Sequence, residues 1–432
     1  MCPGSARGRL LAGIAALAVA GGAGGAPEAP PPCPGLGDAP TLREGSVVSR
    51  GDVLRLKGWI PGEVWRLRDV FFHAGMALEI GPCRRHYSAA AAYEAATARQ
   101  AGSARVDAEG NLHDYRGGLP FPPESIDPDA SDAGIRWAWN LALRHRGPGI
   151  RGRFRLVDLP SRVGGVQTYE GDWSFYPRAE GYAFIAGGRF REPHTTRHLA
   201  WHQLRPIAAL LNFETRDDIQ VYAPDLSRVR RSASSWVDGL FVPRYRAKGS
   251  SVTLSLRRGL EGLALRPNAY RWRVLDVRDV LAPLNVTRSG YPLEAARNFG
   301  PSGLSVGDDR WEIRRAVVIQ GASRVRDGDF DYRTLYVDAQ TQQPLYVLSH
   351  RRGMQLVEVG ILLHRYTGDL SPGPLHSDGT PVRAFAPVAA VFYEAQDGGS
   401  GWRRESYELR LSPPSPQEIQ DLLSQERLTR RH

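Results

Sequence analysis

Cysteine is scarce in this 432-residue chain, three residues in all, too few for a disulfide-stapled scaffold. Lysine is scarcer still: Lys57 and Lys248 are the only two, so the formal charge of +10 rests almost wholly on arginine. No stretch approaches the ~18 uninterrupted apolar residues of a membrane-spanning helix. No P-loop string, no H-E-x-x-H and no dinucleotide fingerprint occurs beyond the N-terminal leader, which leaves the corresponding phosphate, zinc and nicotinamide chemistries without a sequence basis. The length allows one large core or two moderate ones. With 42% hydrophobic and 24% charged residues, the balance is that of an ordinary globular protein.

What is present begins with export. Arg7 and Arg9 precede an apolar run from Leu10 to Ala20 and small residues through Ala26, the pattern of a secretory signal peptide over 1–26. Its removal would lower the charge to about +8 and take Cys2 with it. Cys33 and Cys83 would remain, and two cysteines in an oxidising compartment can pair. Pro30-Pro31-Pro32 before Cys33 lacks the residues of a lipoprotein cleavage site. Positions 27–40, rich in Gly, Ala and Pro, read as a flexible tether. Arginines alternate with apolar residues, as in Arg271-Trp272-Arg273 and Glu312-Ile313-Arg314. That spacing predicts the solvent face of a sheet rather than a polyanion site, and no nucleic-acid partner is expected.

The chain is organised around Leu204 to Arg246. Apolar runs Ile207–Phe213 and Ile219–Tyr222 flank the charged turn Glu214–Asp218, a pattern that predicts an antiparallel hairpin. Arg228, Arg230 and Arg231 follow, then a Ser-rich segment through Ser232, Ser234, Ser235 and Trp236. Before this, helices are expected over 50–57, 62–69, 87–101 (Ala-rich, with Ser88 as cap) and 131–146 (Ile135, Trp137, Ala138, Leu141 and Ala142 at helical spacing, capped by Ser131 or Asp132). After Gly152 the period changes to two. Strands are expected near 153–159, 165–176, 182–191, 205–214, 219–223, 251–257, 269–277, 310–320, 331–338, 343–350, 355–363, 384–394 and 402–411, with turns such as Asp327-Gly328 and Asp397-Gly398 between some of them. Pro416–Arg427 reads as an amphipathic helix. The pattern predicts a β-rich α+β chain: a helical, turn-rich portion over 41–150 packing on a large, curved antiparallel sheet over 151–432.

Several passages together resemble a bacterial family, domain of unknown function 1329 (DUF1329). They are Leu42-Arg43-Glu44-Gly45 with Gly58-Trp59-Ile60-Pro61; Tyr115-Arg116-Gly117-Gly118-Leu119-Pro120-Phe121-Pro122 with Trp139-Asn140; Val221-Tyr222-Ala223-Pro224-Asp225-Leu226-Ser227-Arg228-Val229-Arg230-Arg231; and Tyr332-Arg333-Thr334-Leu335-Tyr336-Val337-Asp338. The resemblance implies an envelope protein with a fold similar to the periplasmic lipoprotein carriers LolA and LolB, a half-open antiparallel barrel covered by helices. It also implies work alongside outer-membrane proteins or exporters, with peripheral membrane contact. The chain departs from the family pattern between Glu192 and His202 and matches it loosely over Ser232–Gly239.

Three candidate chemistries remain. Gly303-Leu304-Ser305-Val306-Gly307 matches the G-x-S-x-G string, but a nucleophile elbow needs a strand before it and a helix after it, and this reads as a polar loop. His194, His198 and His202 could align on a helix, yet the outer two would lie ~12 Å apart along it, too far for one ion. No catalytic residue, metal or cofactor is therefore expected. The third is burial of an apolar ligand: Trp173, Phe175, Tyr182, Phe184, Phe213, Tyr222, Trp272 and Trp311 on the inner face of a curved sheet could line a pocket, with Arg228, Arg230 and Arg231 at its rim to meet an anionic headgroup or protein partner. A filled core is the alternative for the same aromatics. The expected function is that of a periplasmic non-enzymatic carrier or accessory factor for a lipid-like molecule; the alternatives are an interaction protein with a filled barrel and a serine hydrolase.

Overall fold

The computed structural model describes residues 40–159, 166–178, 181–224, 227–231, 242–245, 252–255, 264–288, 290–295, 297–324, 330–396 and 399–429. The leader, most of the tether, Cys33, the Ser-rich segment with Trp236 and the turns at Asp327-Gly328 and Asp397-Gly398 lie outside them. From the N-terminus the strands are β1 (Val47–Ser49), β2 (Ala77–Cys83), β3 (Arg105–Val106) and β4 (Leu112–His113). Then come β5 (Ile150–Leu159), β6 (Gln167–Pro177), β7 (Tyr182–Glu192), β8 (Ala200–Pro206), β9 (Asp218–Ala223), β10 (Arg228–Arg231), β11 (Val242–Tyr245) and β12 (Val252–Ser255). The last seven are β13 (Tyr270–Ala282), β14 (Arg310–Ser323), β15 (Tyr332–Asp338), β16 (Pro344–His350), β17 (Leu356–Tyr366), β18 (Phe385–Gln396) and β19 (Gly399–Leu411). The helices are α1 (Gly62–Arg66), α2 (Arg68–Phe71), α3 (Ala91–Gln100), α4 (Ala133–Leu143), α5 (Ala208–Leu211), α6 (Pro416–Leu423) and α7 (Gln425–Thr429).

Fifteen of the strands join in one sheet. Two antiparallel meanders, β5 to β10 and β13 to β19, meet along a single ladder in which Trp402 to Leu411 of β19 pair with Leu159 to Ile150 of β5. Strand β13 takes one edge of β14, so β15 and β2 share the other. The β2–β14 pair is parallel, which makes the sheet mixed where pure antiparallel pairing was expected. It also brings two strands of the 41–150 portion into the sheet itself. Strands β1, β13 and β10 lie at the ends of the sheet, and β10 is hydrogen-bonded to neither of the others, so among the described residues it does not close.

The expected hairpin forms, but its first strand is β8 rather than Ile207–Phe213. Residues Ala208–Leu211 instead make the short helix α5, as a run of Ala and Leu after Pro206 favours. Ser88 does not cap α3, whose N-cap is Ala90; the Ser88 hydroxyl lies 3.2 Å from that of Tyr366. Asp132 stands at the α4 N-cap without bonding its backbone and holds Arg136 instead. At α6 a full capping box forms, with Ser415 and Glu418 exchanging side-chain and backbone bonds.

Both faces of the β13–β18 half are covered. On one, Val317, Ile319, Leu335, Val347 and Phe392 pack against Trp137, Trp139 and Leu141 of α4; on the other, Val318, Tyr346 and Ile361 pack against the N-terminal segment with Trp59, Val64 and Phe71. Two-sided burial overturns the solvent-face reading of Glu312-Ile313-Arg314. Glu312 and Arg314 are 0% and 2% exposed, Arg314 bonds Asp338 at 2.8 Å, and Glu312 accepts from the Tyr87 hydroxyl. Burial pushes the Glu312 carboxyl above its ordinary range even with Tyr87 and Arg314 beside it. On edge strand β13, Arg271 and Arg273 do face outward. The β5–β10 half packs Phe154, Trp173, Phe190 and Trp201 on the α4 side of the sheet, and carries α6 and α7 on the other.

Candidate functional site: a cleft beside helix α3

Helix α3 buries none of its residues; its alanines give it helicity without a hydrophobic face to plug the space beneath. It is held at two points. The Tyr93 hydroxyl donates to the Leu143 carbonyl at 3.1 Å, and Thr97 Oγ1 accepts from the Leu119 amide at 2.8 Å. Gly118 takes φ +68°, and a Cβ there would lie 2.3 Å from the Thr97 nitrogen, so only glycine lets this loop press against the helix.

Two cavities adjoin α3, and Tyr93 and His145 border both. The larger, about 340 Å³, runs between α3 and the aromatic group Tyr366 and Phe385, whose rings lie 5.2 Å apart. The smaller, about 240 Å³, reaches β6 and β7, where Phe175 and Phe184 stack at 5.1 Å with Trp139 of α4 among their neighbours in the lining. Five arginines, Arg144, Arg146, Arg178, Arg205 and Arg266, line the smaller cavity, and no Asp or Glu does among the described residues. Several lie over rings: Arg146 over Phe175 at 5.1 Å, Arg205 over Phe184 at 4.7 Å, Arg178 over Tyr115 at 4.6 Å. Behind the wall, Asp217 binds Arg205 at 3.0 Å and stands 3.9 Å from Arg266. One buried carboxylate thus faces two buried guanidiniums. Burial, with His376 nearby, lowers His145 to about 4, so this ring is neutral near pH 7. The Tyr93 and Tyr115 hydroxyls are pushed up by burial and stay protonated.

Of the eight aromatics expected in one pocket, Phe175 and Phe184 line this cleft and Trp173 packs beside Phe175, 6.2 Å between ring centres. The other five do not join them. Tyr182 lies on the opposite face with Ile419 and Leu422, Tyr222 with Leu428, Trp272 and Phe213 in the α4 core, and Trp311 in the N-terminal core. The cause is two-sided burial: aromatics on alternating positions of one sheet enter different cores. Arg228, Arg230 and Arg231 are exposed on edge strand β10, where Arg231 bonds Asp218 at 3.0 Å; none borders the cleft. The histidines are not on one helix: His194 begins a 3₁₀ turn, His198 has φ 75° and His202 is on β8. No group of three His, Cys, Asp or Glu among the described residues is placed to hold a metal.

Sequence reasoning missed Tyr93, Tyr115, Trp139 and His145, although a signal existed. Tyr115, Leu119, Pro122 and Trp139 of the quoted family passages border the two cavities, and Asn140 ties that loop down by accepting from Phe121 N at 3.1 Å. Ser305, the other candidate, is 1% exposed and sits in a loop after a turn at 301–303. Its Oγ lies 2.8 Å from His73 Nδ1. That is a nucleophile–base contact in form, without the strand–turn–helix setting that would expose it.

No curated protein matches the chain. Solved structures similar to it include a domain described as that of an outer membrane lipoprotein-sorting protein from Vibrio parahaemolyticus, 14% identical over 70% of this chain and 100% of that one, with a TM-score of 0.46. A DUF1329 family protein from Desulfovibrio piger is 12% identical over 66% and 93%, TM-score 0.42. A LolA superfamily protein from Nitrosomonas europaea is 12% identical over 65% and 92%, TM-score 0.35. The family model described as protein of unknown function (DUF1329) matches residues 67–366, most of the chain, and the chain belongs to that family.

Proposed function

We propose that this protein is a periplasmic, non-enzymatic carrier or accessory factor that holds an anionic amphiphile in the cleft beside α3. One observation carries the reading: an aromatic cavity lined, among the described residues, by five arginines and no carboxylate adjoins a mainly apolar cavity of about 340 Å³, bordered at its edge by Glu94 and Glu124, within the range of small-ligand sites. The apolar part would gain ~0.8 kcal/mol per buried methylene, and the guanidiniums would bind a carboxylate or phosphate head. Export is supported by Arg7, Arg9 and the run Leu10–Ala20. No helix among the described residues is long and apolar enough to cross a membrane. In this reading the sheet acts as a half-open barrel of the LolA and LolB kind, with the cleft on its concave side, and outer-membrane or exporter proteins receive the ligand.

Native mass spectrometry of gently purified protein, with titration of a fluorescent fatty acid, tests the reading. A co-purifying amphiphile and saturable uptake, weakened about tenfold or more by reversing the exposed Arg178 to Glu, are expected. The absence of both a bound lipid and saturable uptake would sink it. A second reading, an envelope interaction protein with a filled interior, is favoured by the close packing of Phe154, Phe190 and Trp201 and by the three arginines exposed on β10. It expects loss of partner docking, and no ligand, when those arginines become Glu.

A further inference from the structure

On the face of the sheet opposite the α3 cleft, a cavity of about 730 Å³ lies between β6–β8 and helices α6 and α7. It is hollow because the strands present small residues there. Ser174, Gly187 and His202 stand side by side across three strands, with Ala200 beyond. At Gly187 an added Cβ would meet Leu422 Cδ2 and the Trp201 carbonyl oxygen, both at 2.8 Å, so a side chain there would crowd the strand as well as α6. Four arginines border the space. Arg191 faces Asp172, Arg197 faces Glu192 and Arg427 faces Asp421. Among the described residues Arg189 hydrogen-bonds no carboxylate, although Asp172 lies near enough to act on its charge: its Nη atoms donate to the carbonyls of His198, Arg427 and Leu428 at 3.5, 3.0 and 3.3 Å, and its Nε–H bonds none of the described residues.

His202, 1% exposed, is the second unsatisfied group. Its Nδ1 lies 2.9 Å from the Leu422 carbonyl, an atom that can only accept, so Nδ1 carries the proton. Nε2 is then a bare acceptor, buried and without a partner. Burial favours the neutral ring by lowering its pKa below the ordinary histidine value, and a buried acceptor left unpaired is destabilising.

From the accessible guanidinium N–H of Arg189 and the waiting acceptor of His202, we infer a binding site for a phosphate monoester. Its anionic oxygens accept from Arg189, and its P–OH donates to His202 Nε2. A carboxylate or sulfate near neutral pH offers no such proton, so the pair of groups selects among anions as well as attracting them. The volume exceeds a bare phosphate, and the group belongs to a soluble ester or to a lipid headgroup. This site shares no residue with the α3 cleft and stands or falls separately.

The experiment is calorimetric titration of the exported chain near pH 6, where about half of a phosphate monoester is singly protonated. Probes are inorganic phosphate, glycerol 3-phosphate and sulfate, with sedimentation against phosphatidylcholine vesicles with and without phosphatidic acid. Binding of phosphate or glycerol 3-phosphate, with sulfate about tenfold weaker or more, is expected. Recruitment to phosphatidic acid vesicles without binding of the soluble probes assigns the lipid source. His202→Asn keeps a donor for Leu422 and should erase the preference for phosphate over sulfate. Arg189→Gln should weaken every anion about tenfold or more; if it loosens α7, as a melting curve would show, Arg189→Lys keeps the charge at the helix end and should still lose affinity. These variants are compared with the parent in an Arg178→Glu background, which weakens head-group binding at the α3 cleft so that the two sites are read apart. Equal affinity for sulfate and phosphate, binding indifferent to folded Arg189 and His202 variants, or no binding in any arm overturns the assignment.

Discussion

Tyr93 stands where the two cavities beside α3 meet, and shortening it gives the sharpest test of the cleft. Taking a methylene at about the ~30 Å³ share of a water molecule, the larger cavity of about 340 Å³ accepts a chain of about eleven methylenes. The smaller, about 240 Å³, holds the head among its arginines, so the tail can lengthen only into the space that the Tyr93 ring vacates where the cavities meet. That space takes about three methylenes, about 2.4 kcal/mol gross at ~0.8 kcal/mol each. Ordering the added chain and its imperfect fit to fixed walls take back more than half. About 1 kcal/mol remains, which is about fivefold in affinity. In Tyr93→Ala, affinity should therefore keep rising with chain length to about fifteen carbons, where the wild-type protein levels off near a dozen. Displacement of a fluorescent fatty acid by a saturated series reads this directly. Tyr93→Phe loses only the bond to the Leu143 carbonyl and should keep the wild-type profile. Identical length profiles for Tyr93→Ala and wild type would refute the reasoning, because the tail would then not run past Tyr93.

Four other outcomes are expected. Asp309→Asn should cost about 3–5 kcal/mol in urea unfolding, since Asp309 is the partner of the fully buried Arg297 and also accepts from the Thr287 amide and hydroxyl, both at 2.8 Å; a loss under 1 kcal/mol would contradict this. His364, 2% exposed, is lowered to about 3 by burial and by Arg144 nearby, whereas the unfolded chain takes up that proton near pH 6.5. Stability should thus fall as pH drops below 6.5, by about 2 kcal/mol from this ring at pH 5, and His364→Gln should flatten that part of the slope. Gly134→Ala places a Cβ 2.5 Å from the Arg273 nitrogen, so it should destabilise by about 1–3 kcal/mol despite its better helix propensity; a neutral melting shift would mean α4 can lift off β13. Ser305→Ala should leave any esterase activity of the preparation unchanged, and abolition would restore the hydrolase reading.

The strands from β13 to β19 were legible because each is a run of β-favouring residues between turns, and α3 and α4 because alanine content and helical spacing are local properties. Strands β1 and β2 were not: β1 has only three residues, and β2 is held by Arg310–Ile313 of β14, more than two hundred positions away. The run after Pro206 misled because an apolar stretch without alternation suits a helix or a buried strand equally. The aromatic count was sound as an index of core but not of address. Which face a tryptophan enters depends on register, and a sheet buried on both sides removes the polar half of the pattern that would reveal it. The cleft itself is made by loops, chiefly 115–122 and 144–148, and by a helix with no buried residue; of its five arginines, Arg144 and Arg146 follow α4 while Arg178, Arg205 and Arg266 come from distant stretches that only the fold brings together.

The ladder between β19 and β5 sets the timetable of folding. The sheet's middle strand is among the last to be made, so until positions near 400 are available each meander displays a naked edge, β5 on one and β18 on the other. Such edges recruit strands from other chains, and partners so distant in sequence find each other slowly. A newly made copy therefore passes through an interval in which its two unpaired edges can capture other chains.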